Sequence, residues 1–455
     1  MKKVWAVARN TIAQALRMRI AGVVIILLLI LLPMMSMIMI GDGTLLGKLQ
    51  TFSSYGLSLV GLMLCVLTIA ISTFTLSDEI KRQQIFMVVT KPVCRWQILL
   101  GKFLGVVILD VFLLLFFASV VYVLTCLIPY MAETSPQERQ RAQNEFFTAR
   151  EGLKTVVDET ELRGRAEERY RQLEKDRRLP ETMSQTDVLT QLFNEERIRE
   201  QSIEPAKSRR WDFKGVRPAA DPNTMIFVRY KYDASVTPPD GQIYGLWSIG
   251  DLQSYEQGTL TTPIYNVPRD APTRVVQEFA VPANAVTKEG YLGVGFVNSP
   301  ELNASTVMVQ DLEVLYKVGT FTGNYCRTIL LLLIRLIFLA ALGITLTTWL
   351  SFPVAVLVCV SVFAVGTING FIVESLEGLG AGVGMVYQFT IQPLLSLLPR
   401  FDGDFSPTKY VVSGRIVRWL FLLRAAGETI GLKALLLMLF GMLVFRSREV
   451  AKTAV

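Results

Sequence analysis

The chain has no histidine at any of its 455 positions and only five cysteines. Without an imidazole there is no histidine general base, proton shuttle or nitrogen ligand, which excludes serine–histidine triads and the common histidine-containing zinc sets. Cys65, Cys94, Cys126, Cys326 and Cys359 all lie in or beside long apolar runs. The polar middle of the chain therefore has neither a disulfide framework nor a cysteine metal site, and no metal-binding residues are expected. A phosphate loop is also missing. The segment GDGTLLGK, Gly41 to Lys48, comes near one, but Asp42 stands where the first glycine is needed and Leu49 where serine or threonine is needed. GLGAGVG, Gly378 to Gly384, follows no strand and lacks the dinucleotide spacing, so it reads as a turn.

Charge is scarce over long stretches. Ile20 to Ile40 has none, Leu49 to Ser77 has none, and Leu336 to Val373 is broken only at Ser351 to Pro353. A helix of about 20 residues crosses a hydrocarbon core about 30 Å thick. With 51% hydrophobic residues and a positive mean hydropathy, the chain reads as a polytopic α-helical membrane protein. Six transmembrane helices are expected, at about 20–40, 51–76, 100–129, 324–350, 353–373 and 425–445.

The net charge of +7 hides an asymmetry. Residues 131–322 hold 29 of the 39 acids and 24 of the 46 bases, net −5, which leaves +12 on the rest. Bases cluster at Lys2, Lys3, Arg9, Arg17 and Arg19, at Lys81, Arg82, Lys91, Arg95 and Lys102, and at Arg446, Arg448 and Lys452. By the positive-inside rule these clusters are cytoplasmic. The expectation is a multi-pass protein of the cytoplasmic (inner) membrane, with both termini inside and 131–322 outside. A seventh span at Met385 to Leu398 is the alternative, and it would put the C-terminus outside. No nucleic acid is needed to explain the basic balance.

Five regions follow. Residues 1–19 form an amphipathic interfacial helix whose stripe is Val4, Ala8, Ile12 and Leu16 with Trp5 beside it. Residues 20–130 hold three spans and a cytoplasmic helix at 78–91. Residues 131–209 form an extracytoplasmic helical stalk, opened by capping boxes at Ser135 to Glu138 and Ser184 to Asp187. Residues 210–320 alternate with period two, as in Ile226, Val228, Tyr230 and Tyr232, and read as an antiparallel β-sandwich of jelly-roll-like layout. Residues 321–455 supply three more spans and an outer re-entrant or interfacial segment at 378–424.

The most informative stretch is SDEIKRQQIFMVVTKPVCRWQILLGK, Ser77 to Lys102, between the second and third spans. Asp78 and Glu79 suit a helix N-terminus, Pro92 ends that helix, and Gly101 and Gly105 are spaced for close packing in the next span. This pattern, with the leading amphipathic helix, the six spans, LLPRFDGDF and the end LVFRSREV, resembles type-2 ATP-binding-cassette permeases. The likeness is greatest to the group labelled multicopper-enzyme-maturation and gliding-type permeases. It covers residues 1–130 and 323–455. Two features depart from it: KRQQ stands where many members carry a Gly-Thr pair, and the large external insert is unusual.

The resemblance implies the membrane subunit of an exporter that hydrolyses no ATP itself. ATP and magnesium would be bound by a cytoplasmic ATPase subunit, and the permease would act with a second copy of itself in the lipid membrane. The coupling contacts it implies are Glu79, Ile85, Phe86, Met87, Lys91, Pro92 and Arg95. The ionisable residues within spans, Asp110, Arg335 and Lys433, are read as structural ion pairs or as parts of a translocation path. In the external domain no residues form a catalytic constellation. Trp211, Tyr244 and Trp247 either stack on a glycan or fill the core. The other readings are a mechanotransmitter without transport and a membrane-anchored module that binds a glycan or an extracytoplasmic protein.

Overall fold

The computed structural model describes residues 2–81, 94–131, 134–155, 159–176, 184–218, 224–377, 390 and 392–447. In chain order the helices are α1 (Lys2–Leu16), α2 (Arg19–Ile38), α3 (Leu45–Lys81), α4 (Arg95–Met131), α5 (Pro136–Glu145), α6 (Glu159–Lys175), α7 (Gln185–Gln201) and the short α8 (Leu252–Glu256). They continue with α9 (Phe321–Thr347), α10 (Phe352–Glu377), α11 (Gln392–Leu397), α12 (Pro407–Ser413) and α13 (Trp419–Ser447). Between α5 and α9 lie the strands β1 (Thr148–Lys154), β2 (Ser202–Ile203), β3 (Ser208–Lys214), β4 (Met225–Ala234), β5 (Gln242–Gly250), β6 (Tyr265–Pro272), β7 (Val276–Pro282), β8 (Tyr291–Val297) and β9 (Val307–Thr320). The chain divides into a helical unit, 1–149 with 320–455, and a β-sheet-rich unit, 150–319.

Six helices of the first unit are long and apolar enough to cross a membrane: α2, α3, α4, α9, α10 and α13. They start and stop where charge, glycine or proline interrupts the apolar runs. α9 ends at Thr347 and α10 begins at Phe352, with Pro353 in its first turn, where its missing N–H costs nothing. α3 and α9 form the centre, with 67% and 72% of their most apolar windows buried. α2 and α10 bury only 28% and 17% and expose Ile26, Ile30, Met37, Leu357 and Phe371. Among the described residues, the proposed seventh span contributes only the six-residue α11; the rest of its N-terminal half lies outside them. α13 changes winding along its length. Trp419–Ala426 is α-helical, Gly427–Ala434 is a π-helix, and Leu435–Ser447 is α-helical again.

α1 packs on α4. Its buried face is Val4, Ala8, Thr11 and Ala15, and the two glycines of α4 make the approach possible. A Cβ at Gly101 would stand 2.6 Å from Val7 Cβ, and one at Gly105 would stand 2.8 Å from the Ala8 carbonyl oxygen. Of the expected stripe Val4 and Ala8 are buried against protein while Trp5 and Leu16 are exposed, and the close crossing is made by small side chains.

In the β-rich unit one sheet runs β1-β9-β4-β7, with β2 also paired to β9, and the other runs β3-β8-β5-β6. The pairs β2–β9, β3–β8, β4–β7, β4–β9, β5–β6 and β5–β8 are antiparallel. Ile226, Val228, Tyr230 and Tyr232 of β4 and Trp247 of β5 meet in one core between the sheets. The sequence places 131–209 in one helical segment, whereas Thr148–Lys154 is a strand at the edge of the first sheet, and α5 packs into the helical unit through Ala142. The Arg150–Glu278 ion pair draws β1 to this sheet. The serine half of both expected capping boxes forms: Ser135 and Ser184 accept from the backbone N–H groups of Glu138 and Asp187. α6 and α7 run antiparallel, joined by Arg165–Glu200 at 3.1 Å and Arg169–Glu196 at 2.9 Å.

Candidate functional site: the end of the helical bundle at α3 and α4

α3 and α4 flank residues 82–93. Ile85, Phe86, Met87, Lys91 and Pro92, expected to be coupling contacts, lie outside the described residues. What is described is the mounting on either side. Lys102 is 1% exposed, and its Nζ donates to Glu79 Oε1 at 2.8 Å and to the Thr75 carbonyl at 3.1 Å. This buried ion pair ties the last turns of α3 to the second turn of α4. Arg95, also expected to be a coupling contact, donates through Nη1 to the Phe445 carbonyl at 3.0 Å and to the Arg446 carbonyl at 2.9 Å. These are orphan acceptors at the C-terminal end of α13, where a guanidinium is favoured both as donor and by the helix dipole. α1 is seated on the same stretch of α4 through Gly101 and Gly105. Four helices thus meet at the two roots of the 82–93 connection. On the other side of α3, Phe74, Ser77, Asp78 and Lys81 share a cavity of about 530 Å³ with Thr347, Leu350 and Phe352.

The three charges expected inside spans are not brought together. Asp110 is fully buried on α4 and accepts from Thr68 Oγ1 at 2.9 Å, while its Oδ2 has no hydrogen-bond partner among the described residues. Arg335, midway along α9, donates to the Phe401 carbonyl at 2.7 Å and lies 4.8 Å from the centre of the Phe401 ring. Lys433, in the π-helical part of α13, donates to the Leu398 carbonyl at 2.9 Å and pairs with Glu428 at 3.0 Å. Both cations therefore satisfy carbonyls of one irregular segment that follows α11.

The same segment is stitched to α10. The Phe401 N–H donates to the Gly366 carbonyl at 2.8 Å, and Asp402 accepts from the N–H groups of Gly370 and Phe371. Gly366 and Gly370 make room, since a Cβ on either would strike Phe401 or Asp402. Buried main-chain carbonyls outside a helix need donors, and Arg335 and Lys433 supply them here.

In the β-rich unit, Trp247 is wholly buried and donates through Nε1 to the Tyr232 hydroxyl at 2.8 Å. It belongs to the core and offers no face to an external ligand. Trp211 is half-buried against the same core. Tyr244 is half-exposed, and its hydroxyl donates to Asp240 at 3.2 Å, a bond that holds the phenol above its usual range. On the first sheet Glu278 sits between Arg150 and Arg229, the latter donating through Nη2 at 2.6 Å. Burial would raise the Glu278 carboxyl, but the two guanidiniums outweigh it and hold it below the usual range. A polar recess of about 1000 Å³ beside the second sheet is lined by Lys214, Asn284, Lys288, Glu289 and Tyr291 among others. Among the described residues no group of three or more Cys, Asp or Glu side chains is placed to hold a metal ion.

Sequence reasoning singled out Glu79 but missed Lys102 as its partner and Phe401 as the seat of Arg335. The proximity of Lys102 to a glycine pair entering a span was the available signal for the first; nothing local marks the second. No protein-family model, curated protein or solved structure matches this chain.

Proposed function

We propose that the chain is the membrane-spanning permease subunit of a type-2 ATP-binding-cassette exporter, driven by a separate cytoplasmic ATPase. The observation that carries this reading is the mounting of residues 82–93. Their two roots are locked by the buried Glu79–Lys102 pair, by Arg95 on the end of α13, and by α1 on Gly101 and Gly105. A push on that connection is passed to four helices at once, which is what coupling to an external motor requires. The apolar surfaces left open on α2, α10 and α13 suit lipid or a second copy of the chain. Both termini would then be cytoplasmic and the β-rich unit extracytoplasmic. The strand orders support a jelly-roll sandwich, since from β2 to β9 the chain changes sheet at every step except between β5 and β6. That unit would select cargo or a partner and would not catalyse.

The test is replacement of Phe86 and Met87 with Asp. The variant should still insert in the membrane and lose the co-purifying ATPase. If an ATPase co-purifies with the variant as with the parent, residues 82–93 are not the contact. If no ATPase accompanies the parent, the exporter reading fails and a membrane-anchored binding module takes its place.

A further inference from the structure

The polar recess beside the second sheet, about 1000 Å³, stands at the top of the range of small-ligand sites. Two glycines of β8 make it possible. A Cβ at Gly293 or Gly295 would stand 3.1 Å from Leu252, so α8 seats directly on that strand. Asp251, buried at the start of α8, accepts from the Ser254 N–H at 3.1 Å and from the Thr261 hydroxyl, and its own N–H donates to Thr262 Oγ1 at 3.1 Å. These bonds clasp the segment around Thr261 and Thr262 to α8 and fix one wall. The other wall is the tight turn from Thr287 to Tyr291. In it the Gly290 N–H donates to the Thr287 carbonyl at 2.9 Å, and the Tyr291 N–H donates to Thr287 Oγ1 at 3.0 Å. Gly290 has a φ of +81°, and its carbonyl accepts from the N–H groups of Gly215 and Val216, which ties the turn to the end of β3. Both walls are thus held by the protein's own bonds before any ligand arrives.

The lining is polar and balanced in charge. Lys214, opposite Tyr291 in the β3–β8 register, and Lys288 in the turn bring two ammoniums, and Asp251 and Glu289 bring two carboxylates. Asp251 is engaged in the clasp. Among the described residues the side chains of Lys214, Lys288, Glu289 and Gln253 have neither an ion pair nor a hydrogen bond. Asn284 Oδ1 accepts from the Tyr265 hydroxyl at 2.8 Å, which fixes the amide and leaves its Nδ2 as the open group. Equal numbers of lysines and carboxylates offer no net attraction to a polyanion, and a lining with no leucine, isoleucine or phenylalanine offers no seat to a lipid chain. Ammonium and amide donors set among carboxylate and amide acceptors match neighbouring hydroxyl groups, each of which donates one hydrogen bond and accepts others. Tyr291, half-buried, adds an aromatic side chain to the wall. We infer that this recess binds a neutral oligosaccharide. The inference names a ligand for the unit that the exporter reading leaves to select cargo or a partner, and it holds whether or not an ATPase accompanies the chain.

The experiment uses the full-length protein in a polyoxyethylene detergent, because an alkyl glycoside would itself present a sugar to the recess. Binding is followed by isothermal titration calorimetry and by saturation-transfer difference NMR. The probes are neutral pentasaccharides of glucose, of mannose and of N-acetylglucosamine, with tetragalacturonate and inorganic phosphate as anionic controls. At least one neutral pentasaccharide should bind saturably with one site per chain. Lys288→Ala should weaken that binding roughly tenfold or more, as loss of a hydrogen bond from a charged group requires, and Asn284→Ala roughly threefold or more. Both side chains are exposed, and the melting temperature of each variant without ligand checks that it is folded. Should either variant fail to fold, Glu289→Gln takes its place and should also weaken binding. Failure of all three neutral probes to bind overturns the inference. So does tighter binding of tetragalacturonate, or competition by phosphate, either of which would make the recess an anion site. Saturable binding that Lys288→Ala and Asn284→Ala both leave unchanged places the sugar elsewhere and refutes the assignment. None of these outcomes bears on whether an ATPase co-purifies, so the inference and the exporter reading fail separately.

Discussion

Replacing Lys102 with Met keeps most of the stem's volume and removes the ammonium that holds Glu79. The Glu79 carboxylate, 10% exposed, is then left buried with no cation at 2.8 Å. Breaking a buried pair from one side costs about 3–5 kcal/mol, against a total folding stability of about 5–15 kcal/mol. Glu79→Leu should cost a comparable amount, because Lys102, only 1% exposed, keeps the Thr75 carbonyl but loses its carboxylate partner. The double variant removes both charges and fills the space with apolar side chains, so it should return to within about 1 kcal/mol of the parent or exceed it. The assay is reversible unfolding in mixed micelles with rising sodium dodecyl sulfate, followed by tryptophan fluorescence, with Trp5 and Trp96 close to the pair along α1 and α4. The single variants should unfold at markedly lower detergent fractions, and the cycle should show strong coupling. A Lys102→Met protein with the parental midpoint would refute the buried pair. A double variant as damaged as the sum of the singles would show that the two ions do not depend on each other.

Two further outcomes are expected. Glu278 has its folded-state pKa depressed by Arg150 and Arg229. The stability it contributes is therefore present above its unfolded value of about 4.3 and is lost as pH falls through the folded value. The melting-temperature gap between the parent and Glu278→Gln should be widest near neutrality and close in acid; a gap that does not change with pH refutes the triad. In a chain with the five native cysteines replaced, cysteines placed at Ser184 and Lys288, both exposed in the β-rich unit, should react with an impermeant thiol reagent from outside intact cells. A cysteine at Lys2 should not, and the reverse pattern inverts the proposed topology.

The six helices long and apolar enough to cross a membrane were legible because the cost of putting charge into hydrocarbon is counted residue by residue, and a run such as Ile20 to Ile40 announces itself without reference to a partner. The phase of β4 was legible for a similar reason. Period two places Ile226, Val228, Tyr230 and Tyr232 on one face whatever lies opposite, and all four are buried. What escaped were properties of pairs. The side of α1 that packs on α4 is set by Gly101 and Gly105, about a hundred residues away, and nothing local marks Thr11 and Ala15 as part of it. β1 has a sequence, TAREGLK, that fits a helix as well as a strand, and pairing with β9 decides. The two cations within long apolar helices were visible as anomalies, but their role was not. Arg335 and Lys433 act on backbone carbonyls 66 and 35 residues away, and no side-chain pattern records an acceptor on the main chain.

The π-helical stretch of α13 has a mechanical consequence. Glu428 and Lys433 are five residues apart, and in an α-helix that spacing turns two side chains about 140° away from each other. They meet at 3.0 Å because the winding from Gly427 to Ala434 is wider. Rewinding that stretch to an α-helix would part the pair and withdraw Lys433 from the Leu398 carbonyl. It would also rotate everything beyond Ala434 by about 100° for each residue taken up, including the Phe445 and Arg446 carbonyls that Arg95 holds. The helix is in this sense a screw with its thread changed at one point: a turn taken at Lys433 is delivered, without any hinge, at the root of α4.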